Sequence, residues 1–179
     1  MLRKINLVVT ILMMVALLAH MILGGLELAG IGGIPVSWLS RGLVVLVAIH
    51  AVIGIILTVE SVIAMKKAGT AYFKENKLFW LRRISGLVII VALVFHLIIF
   101  MSRSGDSYRL QAFTVGYLVT QIILVLSIAV HVISNVKPTL IAFGITDLKK
   151  FSVDILLIIS LALLLALIAF VIYYFRWNA

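Results

Sequence analysis

The chain contains no cysteine, so it forms no disulfide, no thiolate metal site and no covalently attached c-type haem. It is also short of charge. Lys, Arg, Asp and Glu make up 12% of it, against 65% hydrophobic residues and a mean hydropathy of +1.32. A soluble domain holds about 45–50% apolar residues, and so few charges cannot cover a water-facing surface. Acids are the scarcest, six against fifteen Lys and Arg. The net charge of +9 would point to nucleic acid in a soluble protein, but in a membrane protein the placement of the cations explains it, and no nucleic-acid partner is expected. No loop is long enough to hold a soluble catalytic domain. Residues 1–179 read as a single integral membrane domain.

What is present is a series of apolar runs. They cover about residues 5–24, 42–65, 84–101, 110–136 and 153–175, each with 18 or more mainly apolar residues. At a rise of ~1.5 Å per residue, each can cross a hydrocarbon core of ~30 Å as a helix. In lipid a helix satisfies its own backbone without closing a barrel. The expected fold is therefore all-α, an integral membrane bundle of five transmembrane helices. The first run follows Met1-Leu2-Arg3-Lys4 and could pass for a signal peptide. At about 20 residues it exceeds a typical signal core, so it is expected to stay as a helix.

Arg3, Lys4, Lys66, Lys67, Lys74, Lys77, Arg82, Arg83, Lys137, Lys149 and Lys150 fall on one side of this arrangement. Arg41, Arg103, Arg109 and Arg176 fall on the other. The excess of cations on the first side predicts a cytoplasmic N-terminus and a C-terminus outside, in a multi-pass protein of a cell membrane, in keeping with a prokaryotic source. The basic connection 66–83 is the largest feature of the cytoplasmic face.

The chain has four histidines, His20, His50, His96 and His131, one in each of the first four runs and none in a loop. A neutral imidazole in hydrocarbon must find a partner. One such residue is more often a helix–helix hydrogen bond than a ligand, but four together favour a shared cofactor set. Histidine pairs without cysteine and with few membrane acids suit b-type haem, held by two axial imidazoles, and four histidines allow two haems. Counting along helices, His20 lies about 24 Å from Lys4 and His96 about 20 Å from Arg83, both toward the outer half. His131 lies about 9 Å from Lys137, in the inner half, while His50 is ambiguous by count at about 24 Å from Lys66. The expected pairs are His20 with His96 for an outer haem and His50 with His131 for an inner one. Gly24 and Gly54 follow His20 and His50 by four residues, and Ala92 and Ser127 precede His96 and His131 by four. These small side chains suit the close approach of a flat group, and equally ordinary helix packing.

Three passages have a familiar order: Ile49-His50-Ala51-Val52-Ile53-Gly54; Trp80-Leu81-Arg82-Arg83-Ile84-Ser85-Gly86 with Val94-Phe95-His96; and His131 with Ser134-Asn135 and Phe143-Gly144-Ile145-Thr146. With the His20 helix, they give the chain a resemblance to the cytochrome b membrane-anchor subunit of succinate dehydrogenase and fumarate reductase, in its single-subunit, five-helix, di-haem form. The resemblance implies axial ligation of the outer haem by His20 and His96, and of the inner haem by His50 and His131. It implies a flavoprotein subunit and an iron–sulfur subunit on the cytoplasmic face, and exchange of electrons with a membrane quinone, menaquinone suiting a two-haem anchor. Ala129 stands where some relatives carry a membrane glutamate, the connection from His50 to Arg83 is a few residues long, and the segment before the second helix is short. The alternatives are the cytochrome b anchor of a hydrogenase, formate dehydrogenase or nitrate reductase, a histidine-lined transporter of protons or metal ions, and a structural anchor with vestigial histidines.

Other polar residues have weaker readings. Glu27, expected just past the first helix, is either a quinone-side proton group or a solvated acid, with the solvated acid favoured. Glu60 suits snorkelling or pairing with a nearby lysine. Arg83 is a candidate contact for a haem propionate or a quinone. Arg41, Arg103 and Arg109 are candidates for outer propionates. Trp38 and Trp80 fit an interfacial belt, and Tyr173, Tyr174 and Trp177 an interfacial anchor. Pro138 is expected to help end the fourth helix.

Overall fold

A computed structural model describes residues 1–31, 37–70, 76–101, 103–104, 107–108, 112–145 and 147–178. Lys74, Arg109 and Thr146 lie outside the described residues, as do the side chains of Arg103, Lys149 and Lys150. Five helices run in chain order: α1 Leu2–Leu28, α2 Ser37–Lys67, α3 Lys77–Phe100, α4 Val115–Ala142 and α5 Leu148–Asn178. All five are long and apolar enough to cross a bilayer. The shortest, α3, has 24 residues and is about 36 Å long. Between α3 and α4, the two-residue strands β1 (Arg103–Ser104) and β2 (Ser107–Tyr108) pair antiparallel, Arg103 opposite Tyr108 and Ser104 opposite Ser107. They form a turn ribbon on a helical bundle.

Each helix extends past its apolar run at one end or both, but α4 starts five residues inside the expected 110–136. α3 starts at Lys77, so Arg82 and Arg83 belong to its first two turns and not to a loop. Glu27 likewise lies in the last turn of α1, exposed. α4 starts at Val115, where the Thr114 side chain caps it by accepting from the Tyr117 amide at 3.3 Å. Pro138 does not end α4, which continues to Ala142. A membrane helix can carry a proline because neighbouring helices and polar side chains supplement its backbone bonds. One turn earlier, Asn135 Nδ2 and Ser134 Oγ both donate to the His131 carbonyl, at 2.6 and 3.0 Å.

Extended backbone packing joins α1 to α2, α1 to α5, α5 to α4 and α4 to α3. Among the described residues, none of comparable extent joins α1 or α2 to α3 or α4. The bundle is thus two helix pairs, α1/α2 and α3/α4, connected through α5. The connecting stripe of α5 is Ile159, Ala162, Leu163, Ala166, Ala169, Phe170 and Tyr173, all buried and at helical spacing. It packs with Ile99, Phe113, Val125, Val136 and Leu140. Tyr173 therefore belongs to the core, with its ring 5.0 Å from that of Phe113, and not to an interfacial anchor. The outward faces, such as Val8, Val45, Val91, Leu126 and Leu157, are apolar and exposed, as a lipid-facing surface requires.

At one end of the bundle, Arg176 of α5 donates to the Leu28 carbonyl at 2.7 Å. A cation there satisfies an otherwise open carbonyl and meets the negative end of the α1 dipole. The guanidinium sits against Gly30, whose φ of 82° is left-handed and where a Cβ would come within 2.7 Å of it. Asn178 Nδ2 donates to the Phe113 carbonyl at 3.1 Å, so α5 also holds the chain ahead of α4. Deeper in the bundle, a Cβ on Gly25 would lie 3.5 Å from Ala169 Cβ, an ordinary contact. Gly25→Ala should therefore be neutral. Gly25→Leu should overpack the α1–α5 seam and cost about 1–3 kcal/mol, read as a lower unfolding midpoint in detergent relative to wild type and Gly25→Ala.

Candidate functional site

The four histidines meet in two pairs. The rings of His20 on α1 and His96 on α3 have centres 6.1 Å apart and planes crossed at 80°. Those of His50 on α2 and His131 on α4 have centres 6.3 Å apart and planes crossed at 90°. Each pair spans from one helix pair to the other, across the side of the bundle where backbone packing is thin.

The polar neighbours of the histidines explain how the helices hold them. His20 Nδ1 lies 3.3 Å from Ser40 Oγ, and His50 Nδ1 lies 3.3 Å from Thr10 Oγ1, both across α1 and α2. His96 Nδ1 lies 2.8 Å from Gln121 Oε1 across α3 and α4. His131 Nδ1 lies 3.1 Å from the Arg82 carbonyl and 3.2 Å from Ser85 Oγ, again across α3 and α4. The four contacts set two levels. Thr10 to His20, Ser40 to His50, Ser85 to His96 and Gln121 to His131 are each ten or eleven residues apart, about 15 Å along a helix. The ambiguity over His50 is thereby settled: it stands level with Thr10, near the N-terminal end of α1, and not level with His20.

Hydrogen-bond chemistry fixes three of the tautomers. The Thr10 hydroxyl donates to the Asn6 carbonyl at 2.7 Å, so its oxygen accepts from His50 Nδ1–H. The Arg82 carbonyl has only lone pairs to offer, so His131 Nδ1 carries the proton as well. Thr120 Oγ1 donates to the Tyr117 carbonyl at 2.8 Å and accepts from Gln121 Nε2 at 3.1 Å. The carbonyl of Gln121 then faces His96 and accepts from its Nδ1–H. In each of these rings the other nitrogen, Nε2, is left with a free lone pair. A donating Nδ1 with a bare Nε2 is the arrangement that metal-bound histidines use.

The spacing suits one metal between each pair. With bonds of about 2.0 Å to each nitrogen, and each nitrogen about 1.1 Å from its ring centre, two axial imidazoles would place their centres about 6.2 Å apart. Among the described residues, no group of three or more His, Cys, Asp or Glu could hold a metal ion. A four-ligand zinc site is not built from two histidines. An iron already held on four sides by a porphyrin needs two axial ligands and no more.

The surroundings of the two levels differ. Arg82 meets His131 through its carbonyl, and Arg83 follows it on α3. The Nε atoms of both arginines and Oδ1 of Asn6 are buried without a hydrogen-bond partner. Arg83 also lies over the Phe79 ring at 5.0 Å. The two buried guanidinium N–H groups are suited to a carboxylate, whereas Asn6 Oδ1 can only accept. At the other level, His96 lies among rings, 5.0 Å from Phe100 and 6.3 Å from Phe170. Arg41 is exposed beside Ser40, and Glu27 is exposed two turns beyond His20. Glu60 is exposed on α2.

Of the small residues, Gly24 would place a Cβ 3.9 Å from His20 Cε1, and Gly54 would meet nothing within 4 Å. Ala92 is buried and Ser127 partly so. The glycine that fits most closely against a histidine is Gly86, where a Cβ would lie 3.3 Å from His131 Cε1 and 3.5 Å from Nδ1. Sequence reading did not single out Thr10, Ser40, Ser85, Gln121 or Gly86 for this role. The available signal was a polar side chain inside an apolar run, which is costly without a partner.

Comparison of the chain with models of known protein families, with curated proteins and with solved structures finds no match. The class defined by fold and site is a multi-pass helical membrane protein with two interhelical histidine pairs. Gly86→Val should push His131 off the Arg82 carbonyl and weaken any group held between His50 and His131, leaving the His20–His96 pair intact. Gly86→Ala should need only a few tenths of an ångström of adjustment. Comparing wild type and both variants by unfolding midpoint in detergent checks this, with the valine variant lowered and the alanine variant close to wild type.

Proposed function

We propose that this protein is a di-haem cytochrome b, the membrane anchor of a succinate:quinone oxidoreductase of the succinate dehydrogenase or fumarate reductase type. The observation that carries the reading is the pairing of all four histidines at 6.1 and 6.3 Å with crossed planes. Structural histidines would need no such pairing at a common spacing. His20 and His96 would hold the outer haem, and His50 and His131 the inner one. Arg82 and Arg83 would meet the propionates of the inner haem. The haems supply reversible one-electron transfer. The protein's own part is to present Nε2 of each imidazole, to fix its orientation from Nδ1 and to keep water from the irons.

Two levels about 15 Å apart along the bundle would form a path between a quinone in the bilayer and a partner on the cationic face. In this reading the cationic face, with Lys66, Lys67 and Lys77, is cytoplasmic and docks an iron–sulfur subunit and a flavoprotein subunit. Those partners would carry the dicarboxylate chemistry. The N-terminus is then cytoplasmic and the C-terminus outside, in a prokaryotic cell membrane.

The test is a pyridine haemochrome assay and a reduced-minus-oxidised spectrum on detergent-purified protein expressed with ample haem. Two haems b per chain are expected. His96→Ala should remove one of them and leave the spectrum of the other largely intact. Colourless wild-type protein would sink the cytochrome reading in favour of a histidine-lined transporter.

A further inference from the structure

We propose that Gln121 is the positioning residue that tunes the haem held by His20 and His96, by accepting a hydrogen bond from His96 Nδ1. The inference rests on the di-haem reading above and adds a determinant of potential to it. Gln121 is fully buried about two turns into the membrane helix α4, at 0% exposure. An amide there is costly unless both its ends are satisfied. Both are: Nε2 donates to Thr120 Oγ1 at 3.1 Å, and Oε1 faces His96 Nδ1 at 2.8 Å. Thr120 cannot reverse the arrangement, because its own hydrogen goes to the Tyr117 carbonyl. The relay Tyr117–Thr120–Gln121–His96 therefore runs in one direction and ends on an imidazole that must donate.

Of the four histidines' Nδ1 contacts, this is the shortest; the others measure 3.1 to 3.3 Å. Phe100 and Phe170 surround the ring, and in such a low-dielectric setting a hydrogen bond is stronger. An acceptor on Nδ1–H makes Nε2 a more basic ligand. A more basic axial ligand favours the ferric state over the ferrous, so the bond holds the potential of that haem down. His20 has only a serine hydroxyl at 3.3 Å, so Gln121 is the main lever of this kind on its pair.

The experiment compares wild type, Gln121→Leu and Gln121→Glu by haem count and by redox titration of the two b-type absorption bands. Leucine fills the space and cannot accept, whereas glutamate can accept and carries more negative charge. In Gln121→Leu, one haem should become easier to reduce by about tenfold in its equilibrium constant, an upward shift of about 59 mV for one electron. In Gln121→Glu the same haem should move the other way, and the second haem should keep its potential in both. If leucine instead releases one haem and glutamate keeps it, the acceptor is required, and the proposal stands. Two bound haems with unmoved potentials in both variants would overturn the role of Gln121 and leave the di-haem reading intact. Release of the same haem from both variants would also overturn it, since the acceptor would then make no difference. Wild type without haem would overturn both.

Discussion

The interaction on which the rest of this structure depends is a hydrogen bond between an imidazole Nδ1 and a neighbouring helix. Each histidine stands in an apolar run, where an unpartnered N–H costs several kcal/mol. Each finds its partner on the antiparallel neighbour: Ser40, Thr10, Gln121, and the Arg82 carbonyl with Ser85. These contacts fix the register within α1/α2 and within α3/α4. They leave the second nitrogen of each ring outside these contacts. One bond thus sets the register and, for His50, His96 and His131, the tautomer.

α5 carries no histidine and has a different task. Lipid supplies no hydrophobic drive between helices, so a bundle holds by close packing and by polar contacts. α5 provides both: its buried stripe reaches the core of α3 and α4, Ala169 meets Gly25 of α1, and Arg176 closes on the Leu28 carbonyl. Through α5, two helix pairs that pack little on one another are held at a fixed separation. A spacing of 6.1 or 6.3 Å between rings on different pairs depends on that separation.

The five helices were legible in the sequence because hydrocarbon thickness imposes one length and one composition on all of them. The pairing of His20 with His96 followed from depth, since both are counted from cations at helix ends. His50 could not be placed in that way, because α2 reaches Lys67 and is longer than the bilayer core. Its level is set sideways, by Thr10, and lateral register leaves little trace in hydropathy. Pro138 and Tyr173 misled for the same reason. A proline rule and an aromatic-belt rule describe a helix alone, whereas α4 is supported by its neighbours and Tyr173 faces Phe100 and Phe113. Gln121 was passed over because a single amide carries no charge, yet its complete burial marks it as clearly as any histidine.

The two levels are built from different materials, and the difference has a physical consequence. At the level of His50 and His131, Arg82 and Arg83 carry buried Nε atoms without a hydrogen-bond partner, and the Arg82 carbonyl meets His131. Around His96 stand phenyl rings and one amide that is hydrogen-bonded at both ends. The first environment answers to charge: it would stabilise an anionic group beside the two histidines and respond strongly to loss of an arginine. The second answers to ligand basicity, because near the His96 ring a single hydrogen bond is the main polar influence. Under the proposed reading, the same axial ligand set would be adjusted by two separate means. Substitutions at one level could then leave the other nearly untouched, since about 15 Å of apolar helix lies between them.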